Sequence, residues 1–515
     1  MISAAAAKFF GAVFKIPLTN MLGGIGMSYF SCAYSIFMPV YALTVTGVSS
    51  AVARLTAQSA ALGMYANAER VRRKALLLFS CAGGLGSLLI LLLSKPFSLY
   101  FIGSTEAAAA VAMIAPAVLF GCITAVERGY YEGMSNMYPT AFSQAAEGIV
   151  KAVAGLMLCS FVTSRHGTVA KLFPGVADIR SAAAAAGILG VTLSIVGAAL
   201  FFAVMRLFVR PPKGGEAHLM SSGSIYRELL ATALPVGAGA LVTNLTALVD
   251  MWTLIGCVSR FGCGIKAPAG ISAAELPQFV YGSFAGIALT VFSLVPSVTN
   301  MLGKGALTCI AAARESGDRS ALESGTAQAL LTSAVISLPA AAGVFVLAPE
   351  ILDFLYPRQP DEADLCVMPL RYLMAGMVCL CVSYPLFSML QAAGKPAAPL
   401  KIMLAGTGLK LLGNIALIPF MGLDGAALST TLCYVVILVL SLRVYFKEME
   451  IKIHIIHLVN AAYSGLMCGG AAYLAACAAR WGNMPNMAVI GISAAVGGAV
   501  YIALLRGLSV VKRAG

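Results

Sequence analysis

The stretch Glu127–Lys151 connects two apolar runs and gives the most specific indication of the fold. It reads E-R-G-Y-Y-E-G-M-S-N-M-Y-P-T-A-F-S-Q-A-A-E-G-I-V-K. It turns at Gly133–Asn136 and restarts at Pro139, a residue suited to the first turn of a helix because its missing N–H needs no partner there. The restarted helix carries Glu147 and Lys151 four residues apart, in surroundings apolar enough for a bilayer. Burying a charged side chain at that depth in a bilayer costs free energy, so such residues normally face a partner or a water-filled cavity. The stretch therefore predicts a membrane helix with charged groups that face something other than lipid.

The composition of the whole chain indicates the same class of protein. Of its 515 residues, 60% are hydrophobic and 11% are charged, whereas about a quarter of the residues in a soluble domain are charged. Apolar runs of about 20 residues, long enough to cross a bilayer, recur about fourteen times. The first two lie near 3–21 and 27–62, and the second is long enough to need a tilt or a bend near Gly47. The sequence predicts an all-α polytopic membrane protein.

The formal net charge of +13 does not indicate nucleic acid binding. The basic residues are spread over short loops, as the positive-inside rule describes. If the strongest basic cluster, Glu69–Lys74, is cytoplasmic, an even number of spans puts both termini in the cytoplasm. The 13 Cys lack metal-ligand or disulfide spacing and are interpreted as packing residues. No Walker-type, G-x-S-x-G or H-E-x-x-H motif occurs, so we expect a transporter without a metal or cofactor rather than an enzyme.

A linker rich in Gly, Ser and Pro at 211–224 separates two halves that resemble each other. The run that begins L-T-V at Leu43 has a counterpart at Leu289, and Glu132–Lys151 has one at Gln391–Lys410. We expect an N-terminal six-helix lobe at 1–210, the cytoplasmic linker, a second six-helix lobe at 225–450, and two extra helices at 451–515. Such a parallel repeat is typical of transporters that bind substrate between their lobes. Similar apolar composition without a repeat is the alternative.

Ionisable residues within the apolar spans mark the candidate site, because exposing each to lipid costs about 3 kcal/mol. They are Lys8, Lys15, Arg54, Glu147, Lys151, Asp250, Arg371 and Lys410. Their excess of positive charge predicts a cavity for an anionic substrate. Structural alternatives stay open: Lys8 and Arg371 could snorkel to a membrane surface, Arg54 could mark the approach to one, and Glu147 could pair with Lys151 on one helix face. Asp250 is either a cation or proton site or a satisfied structural carboxylate.

The run from Arg128 to Lys151 resembles a signature of stage V sporulation protein B and its relatives, R-G-Y-x-Q-G-M-x-x-M-x-P-T-A-x-S-Q-x-x-E-Q-x-x-R. The runs F-K-I-P-L-T-N-M-L-G-G-I-G-M-S-Y and G-V-S-S-A-V-A-R-L-T-A-Q resemble two further motifs of that group. Nearly the whole chain is thus similar to the multidrug/oligosaccharidyl-lipid/polysaccharide (MOP) flippase superfamily. Glu132 and Gly148 stand where the group usually has Gln. These departures bear on the substrate more than on the fold.

The resemblance implies two six-helix lobes around a central cavity, two further helices, and alternating access across the bacterial inner membrane. It implies a flippase for an undecaprenyl-pyrophosphate-linked saccharide, such as lipid II or a related precursor. The anionic headgroup is then expected to contact Lys15, Arg54, Lys151, Lys410 and Glu147. The first three fall where the motifs have Arg or Lys, so charge is kept.

Sodium-linked members of the superfamily suggest a coupling Na⁺ or H⁺ at Asp250, helped by Asn244 and Asn414. The expected partners are the lipid-linked oligosaccharide, membrane lipids and cell-wall synthesis proteins, with no nucleic acid. Two other functions stay open. One is a cation-coupled multidrug exporter of the same fold, which would favour acidic and aromatic cavity residues. The other is a non-transporting scaffold in cell-wall or spore assembly.

Overall fold

The computed structural model describes residues 14–165 together with Gly11, and residues 178–208, 220–265, 267–300, 318–393, 395, 397–449 and 456–508. This part of the chain is helical, and 13 of its helical runs are long and apolar enough to cross a membrane. The prediction of an all-α polytopic architecture is confirmed. Lys8 and most of the predicted linker at 211–224 lie outside the described residues.

The described residues fall into two compact units, Met1–Trp252 and Thr253–Gly515. Unit 1 contains α1 (Lys15–Tyr41), α2 (Gly47–Ala61), α3 (Tyr65–Leu92), α4 (Ser94–Ile102), α5 (Ala108–Ile114), α6 (Pro116–Gly133), α7 (Tyr138–Ser164), α8 (Ile179–Phe208) and the first part of α9 (Ser222–Phe261). Unit 2 contains the end of α9, α10 (Leu276–Ser283), α11 (Arg319–Val346), α12 (Ala348–Leu355), α13 (Pro360–Ala392), α14 (Ala397–Met421), α15 (Leu423–Met449), α16 (Ile456–Trp481) and α17 (Asn486–Gly507).

The first apolar run, Lys15–Ala61, departs from α-helix at two places. Gly23 has φ 65° and ψ −179°, a conformation that is essentially restricted to glycine. Gly23 lies between the first two predicted spans, which the structure joins into the one run Lys15–Ala61. A π-helical turn at Ala42–Thr46 then directly precedes Gly47, where the sequence predicts an irregularity.

A second π-helical turn, Phe284–Ala288, lies in unit 2 and ends directly before Leu289. The repeated L-T-V segments at Leu43 and Leu289 therefore each adjoin or overlap a π-helical turn. Such turns are rare and are frequently found at functional sites. This shared irregularity agrees with the predicted parallel repeat.

The division between the units falls inside α9 because its first part packs against α2 and the turn before it. A Cβ built on Gly47 would overlap the carbonyl oxygen of Ala233, and one on Gly237 would lie 2.5 Å from the carbonyl oxygen of Leu43. Small residues allow helix backbones in membranes to approach this closely. The domain boundaries expected from the sequence stay a prediction.

Glycines also join α7 to α8, and this contact can be tested. A Cβ built on Gly190 would overlap the backbone of Gly155, whereas one on Gly197, also in α8, would meet nothing within 4 Å. We expect Gly190→Ala to lower the free energy of unfolding by about 1–3 kcal/mol, because the two helices must separate. Gly197→Ala is the matched control and should be neutral or slightly stabilising, since alanine is the better helix former. Equal thermal unfolding midpoints for the two variants in detergent would contradict this packing role.

Candidate functional site

A pair of lysines in unit 1 forms the centre of the candidate anion site. Lys151 of α7 places its Nζ 5.9 Å from the ring centres of both Phe14 and Tyr34. Gly11 leaves room for this ammonium group, since a Cβ there would lie 3.2 Å from Nζ. Lys15, at the start of α1, directly follows Phe14, whose ring lies against the Lys151 ammonium group, so the two positive charges are on neighbouring parts of the same site. Neither lysine forms an ion pair with a carboxylate in the part of the chain that the structure describes.

Aromatic side chains along α1 build the wall beside this pair. Phe30, Tyr34, Phe37 and Tyr41 are spaced four, three and four residues apart, which puts them on one helix face. Phe30 stacks on Tyr34 with ring centres 5.2 Å apart, and Phe37 lies 4.8 Å from Tyr41. The two phenylalanines are buried, while the two tyrosines are half-buried. Because a ring face attracts a cation, this wall stabilises the ammonium of Lys151 without neutralising it.

Glu147 does not pair with Lys151, although the two stand four residues apart on α7. Its Oε2 accepts a hydrogen bond of 2.8 Å from Nη2 of Arg128, on α6. Nε of Arg128 donates a second one, of 3.0 Å, to Oγ of Ser143. The alternative of a Glu147–Lys151 pair on one helix face is therefore wrong. Arg128 is a site residue that the sequence interpretation missed, and its place at the polar end of a span was the signal that could have found it.

A second group of charges in unit 1, the α3–α6–α8 charge cluster, consists of Glu69, Arg72, Glu127 and Arg206. Arg72 donates to Glu127 and, at 2.8 Å, to Glu69. Arg206 lies 3.1 Å from Glu69 and 3.5 Å from Glu127. Both guanidinium groups also lie over the ring of Tyr130. The two carboxylates balance these two buried guanidinium groups, while the exposed Arg73 also contacts Glu69 at 3.1 Å. We interpret the buried part of the cluster as structural.

Arg54, another predicted anion ligand, is exposed on α2. Its Nη1 donates a hydrogen bond of 3.2 Å to Oγ1 of Thr232, on the first part of α9. One helical turn further along α2, Gln58 lines a cleft of about 710 Å³, and Glu228 lines it from α9. Arg54 is therefore in contact with a polar partner and one turn from a residue that lines the cleft, and it forms no ion pair with another residue that the structure describes.

Lys410 and Asn414 lie one turn apart on α14, in unit 2. Both are buried, with 3% and 0% of their surface exposed. The carbonyl oxygen of Lys410 accepts a hydrogen bond of 3.0 Å from Oγ of Ser429. Nδ2 of Asn414 donates one of 2.8 Å to Oγ1 of Thr253. A buried lysine within a membrane span is compatible with the predicted anion contact, which stays a prediction.

The predicted coupling residues Asp250 and Asn244 lie on the part of α9 that belongs to unit 1. Asp250 is buried, with 3% of its surface exposed. Asn244 donates its Nδ2 to the carbonyl oxygen of Ala240 in the same helix, at 2.7 Å. Among the described residues, no group of three or more His, Cys, Asp or Glu could hold a metal ion. The expected cation site at Asp250 stays a prediction.

The chain is similar to known proteins in both sequence and fold. The MatE family model matches residues 283–416. The chain is 23% identical to lipid II flippase MurJ of Bacillus subtilis, over 96% of this chain and 92% of that protein. It is 22% identical to stage V sporulation protein B of the same organism, over 87% of this chain and 82% of that protein.

Solved structures of the same fold cover most of the chain. The inward closed conformation of lipid II flippase MurJ matches with a TM-score of 0.72 and 14% identity, over 99% of this chain and 100% of that one. An inward-facing multidrug resistance MATE family transporter of the MOP superfamily matches with a TM-score of 0.69 and 15% identity, over 86% and 94%. These matches confirm the expected fold. By sequence and fold together, the chain is a multi-pass membrane protein with the fold of MOP superfamily transporters, and it is similar in sequence to a lipid II flippase and to stage V sporulation protein B.

Proposed function

We propose that the protein is a flippase that moves an undecaprenyl-pyrophosphate-linked saccharide across the bacterial inner membrane by alternating access, with both termini in the cytoplasm. The lysine pair carries this proposal. Lys15 and Lys151 present two positive charges without an ion-paired carboxylate in the described part of the chain, on helices long and apolar enough to cross a membrane. Holding two such charges in a membrane is costly, and binding a phosphate-containing anion offsets that cost. Lys is a competent phosphate ligand.

Arg54 and Lys410 complete the proposed set of cationic contacts, and Glu147 belongs to it indirectly, through Arg128. The pyrophosphate binds these groups from the cytoplasmic side, while the polyprenyl tail stays in the lipid. Opening to the outside then releases the headgroup. The names of the relatives, a lipid II flippase and a sporulation protein, support a cell-wall precursor as the cargo, with cell-wall synthesis proteins as partners.

A basic site alone would retain its ligand, so an energy source must reset the transporter. We propose that a coupling Na⁺ or H⁺ binds at Asp250, with Asn244 and Asn414 as helpers, because Asp250 is a buried carboxylate in a membrane span and such residues mark ion and proton pathways. Flipping in reconstituted vesicles with an imposed sodium or proton gradient tests this step. A rate that responds to neither gradient would remove cation coupling from the proposal.

Complementation tests the function itself. Cells whose own lipid II flippase can be switched off should grow when the wild-type chain is expressed, and should stop growing without it. Failure to rescue at normal membrane levels would exclude lipid II as the cargo. Rescue of strains that lack the flippase for teichoic-acid precursors or capsule units would then identify the lipid-linked saccharide.

A multidrug exporter of the same fold is the second candidate. The aromatic wall of α1 favours it, because aromatic faces bind the apolar and cationic groups of drugs. The lysine pair opposes it, because two uncompensated ammonium groups repel a cationic drug. Resistance to cationic dyes in an exporter-deficient host, together with failure to rescue any flippase-depleted strain, would select this function instead.

A further inference from the structure

The ion pair between Arg128 and Glu147 replaces one that the sequence would otherwise form. A glutamate four residues before a lysine is the favourable order for an ion pair within a helix, and Glu147 and Lys151 have this spacing on α7. In the structure Glu147 instead accepts from Arg128, and Lys151 lies over two aromatic rings. Glu147 therefore forms its ion pair with a residue of α6 rather than with Lys151 of its own helix.

Two hydrogen bonds to α7 hold the side chain of Arg128 in place. Its Nη2 contacts Glu147 and its Nε contacts Ser143, which stands one helical turn before Glu147 on the same face of α7. A guanidinium group has several donors in a rigid plane and can hold two neighbouring acceptors at once. Only 13% of the Arg128 side chain and 24% of the Glu147 side chain are exposed, so water screens their attraction weakly.

We propose that Arg128 is a positioning residue for the anion site: it sequesters the carboxylate of Glu147 and so keeps Lys151 and Lys15 available as a pair of positive charges that no described carboxylate neutralises. Two ammonium groups that repel each other are both neutralised by an anion with two charges. An anion with one charge leaves one of the two ammonium groups without a counter-charge. The site should therefore prefer a diphosphate diester to a phosphate diester. This inference rests on the proposed function, because it concerns the same substrate site.

The test measures binding of two matched probes to the purified full chain in detergent by isothermal titration calorimetry. The methyl ester of farnesyl diphosphate carries two negative charges, and farnesyl methyl phosphate carries one. Wild type should bind the diphosphate about tenfold more tightly, the effect of one additional partly screened charge interaction. Equal affinity for the two probes would overturn the preference for a doubly charged ligand.

Arg128→Gln should weaken binding of the diphosphate probe about tenfold, because Glu147 is then released to neutralise Lys151 in a poorly screened site. Adding Glu147→Gln to that variant should restore most of the lost affinity, since it removes the competing carboxylate. A merely structural role predicts the opposite, because the double variant has lost more of the contact between α6 and α7. A double variant that binds as weakly as Arg128→Gln overturns the proposal.

Two further variants keep the test decisive. Arg128→Glu combined with Glu147→Arg retains the ion pair and leaves no carboxylate one turn from Lys151, so its affinity should equal or exceed that of wild type. A loss of affinity there overturns the proposal even if Arg128→Gln does not fold. Arg319→Gln breaks an exposed ion pair with Glu323 in unit 2 and should bind like wild type. If wild type itself does not bind the diphosphate probe, the proposed function fails, rather than this role of Arg128.

Discussion

Replacing Lys15 and Lys151 together with alanine should lower the rate of flipping at least about a hundredfold, while the protein stays folded in the membrane. Each ammonium group that binds a phosphate oxygen contributes about 1.5–3 kcal/mol, as expected for a hydrogen bond with a charged partner. Losing two such contacts removes most of the free energy with which the site holds the headgroup. The protein should tolerate the change, because it deletes two charges that repel each other and breaks no ion pair among the described residues.

The measurement is growth of flippase-depleted cells, together with the flipping rate in reconstituted vesicles. Lys95→Ala combined with Lys447→Ala is the matched control, because it removes two lysines that are exposed in the structure. The control should rescue growth as wild type does, and the site variant should not, at equal membrane levels. Full rescue by the site variant would show that these lysines do not bind the substrate.

The same variant distinguishes the three functions that the sequence leaves open. A scaffold needs no charge in the membrane and should keep its role after the change. An exporter of cationic drugs should bind them more tightly once two positive charges are gone. A flippase for an anionic headgroup should fail, and Lys15→Arg with Lys151→Arg should restore it in part, because charge is kept while shape is not.

Much of the fold follows from the sequence because apolar runs of membrane length are a strong and local signal. The break at Gly23 and the π-helical turn beside Gly47 are finer features. The length of the second predicted span gave an indication of the turn, but only the backbone conformation shows which residues form it. The close approach of Gly47 to Ala233 joins residues far apart in the chain. No local pattern predicts it, and it explains why the structural division falls inside α9.

In the candidate site, too, the sequence predicts individual residues but not the contacts between helices. Lys15 and Lys151 could be selected from the sequence because each is a charge within an apolar helix. The partner of Glu147 could not, because spacing within one helix favours Lys151, whereas the structure brings in Arg128 from α6. The partner of Arg54, Thr232, is 178 residues away. Contacts between helices depend on how faces are oriented, and the hydrophobic pattern of a helix in a bilayer fixes that orientation only weakly.

The α3–α6–α8 charge cluster should be the most sensitive structural element of unit 1. Glu127→Ala should lower the free energy of unfolding by about 3–5 kcal/mol, the usual cost of removing one partner from a buried ion pair. The Glu127 side chain is 7% exposed and that of Arg72 is 10% exposed. After the substitution, Arg72 and Arg206 would share Glu69 as their one remaining carboxylate within the cluster. Two guanidinium groups near Tyr130 would then repel each other in a poorly hydrated place.

Unfolding of the purified protein in mixed detergent micelles measures this effect, with the loss of helical circular dichroism as the signal. Glu323→Ala is the matched control, because it removes a carboxylate whose pair with Arg319 is largely exposed, and such pairs contribute about 0–1 kcal/mol. Glu127→Gln separates charge from size: it should destabilise nearly as much as alanine, because an amide cannot neutralise two guanidinium groups. If Glu127→Gln were as stable as wild type, the cluster would be held by packing around Tyr130 rather than by its charges.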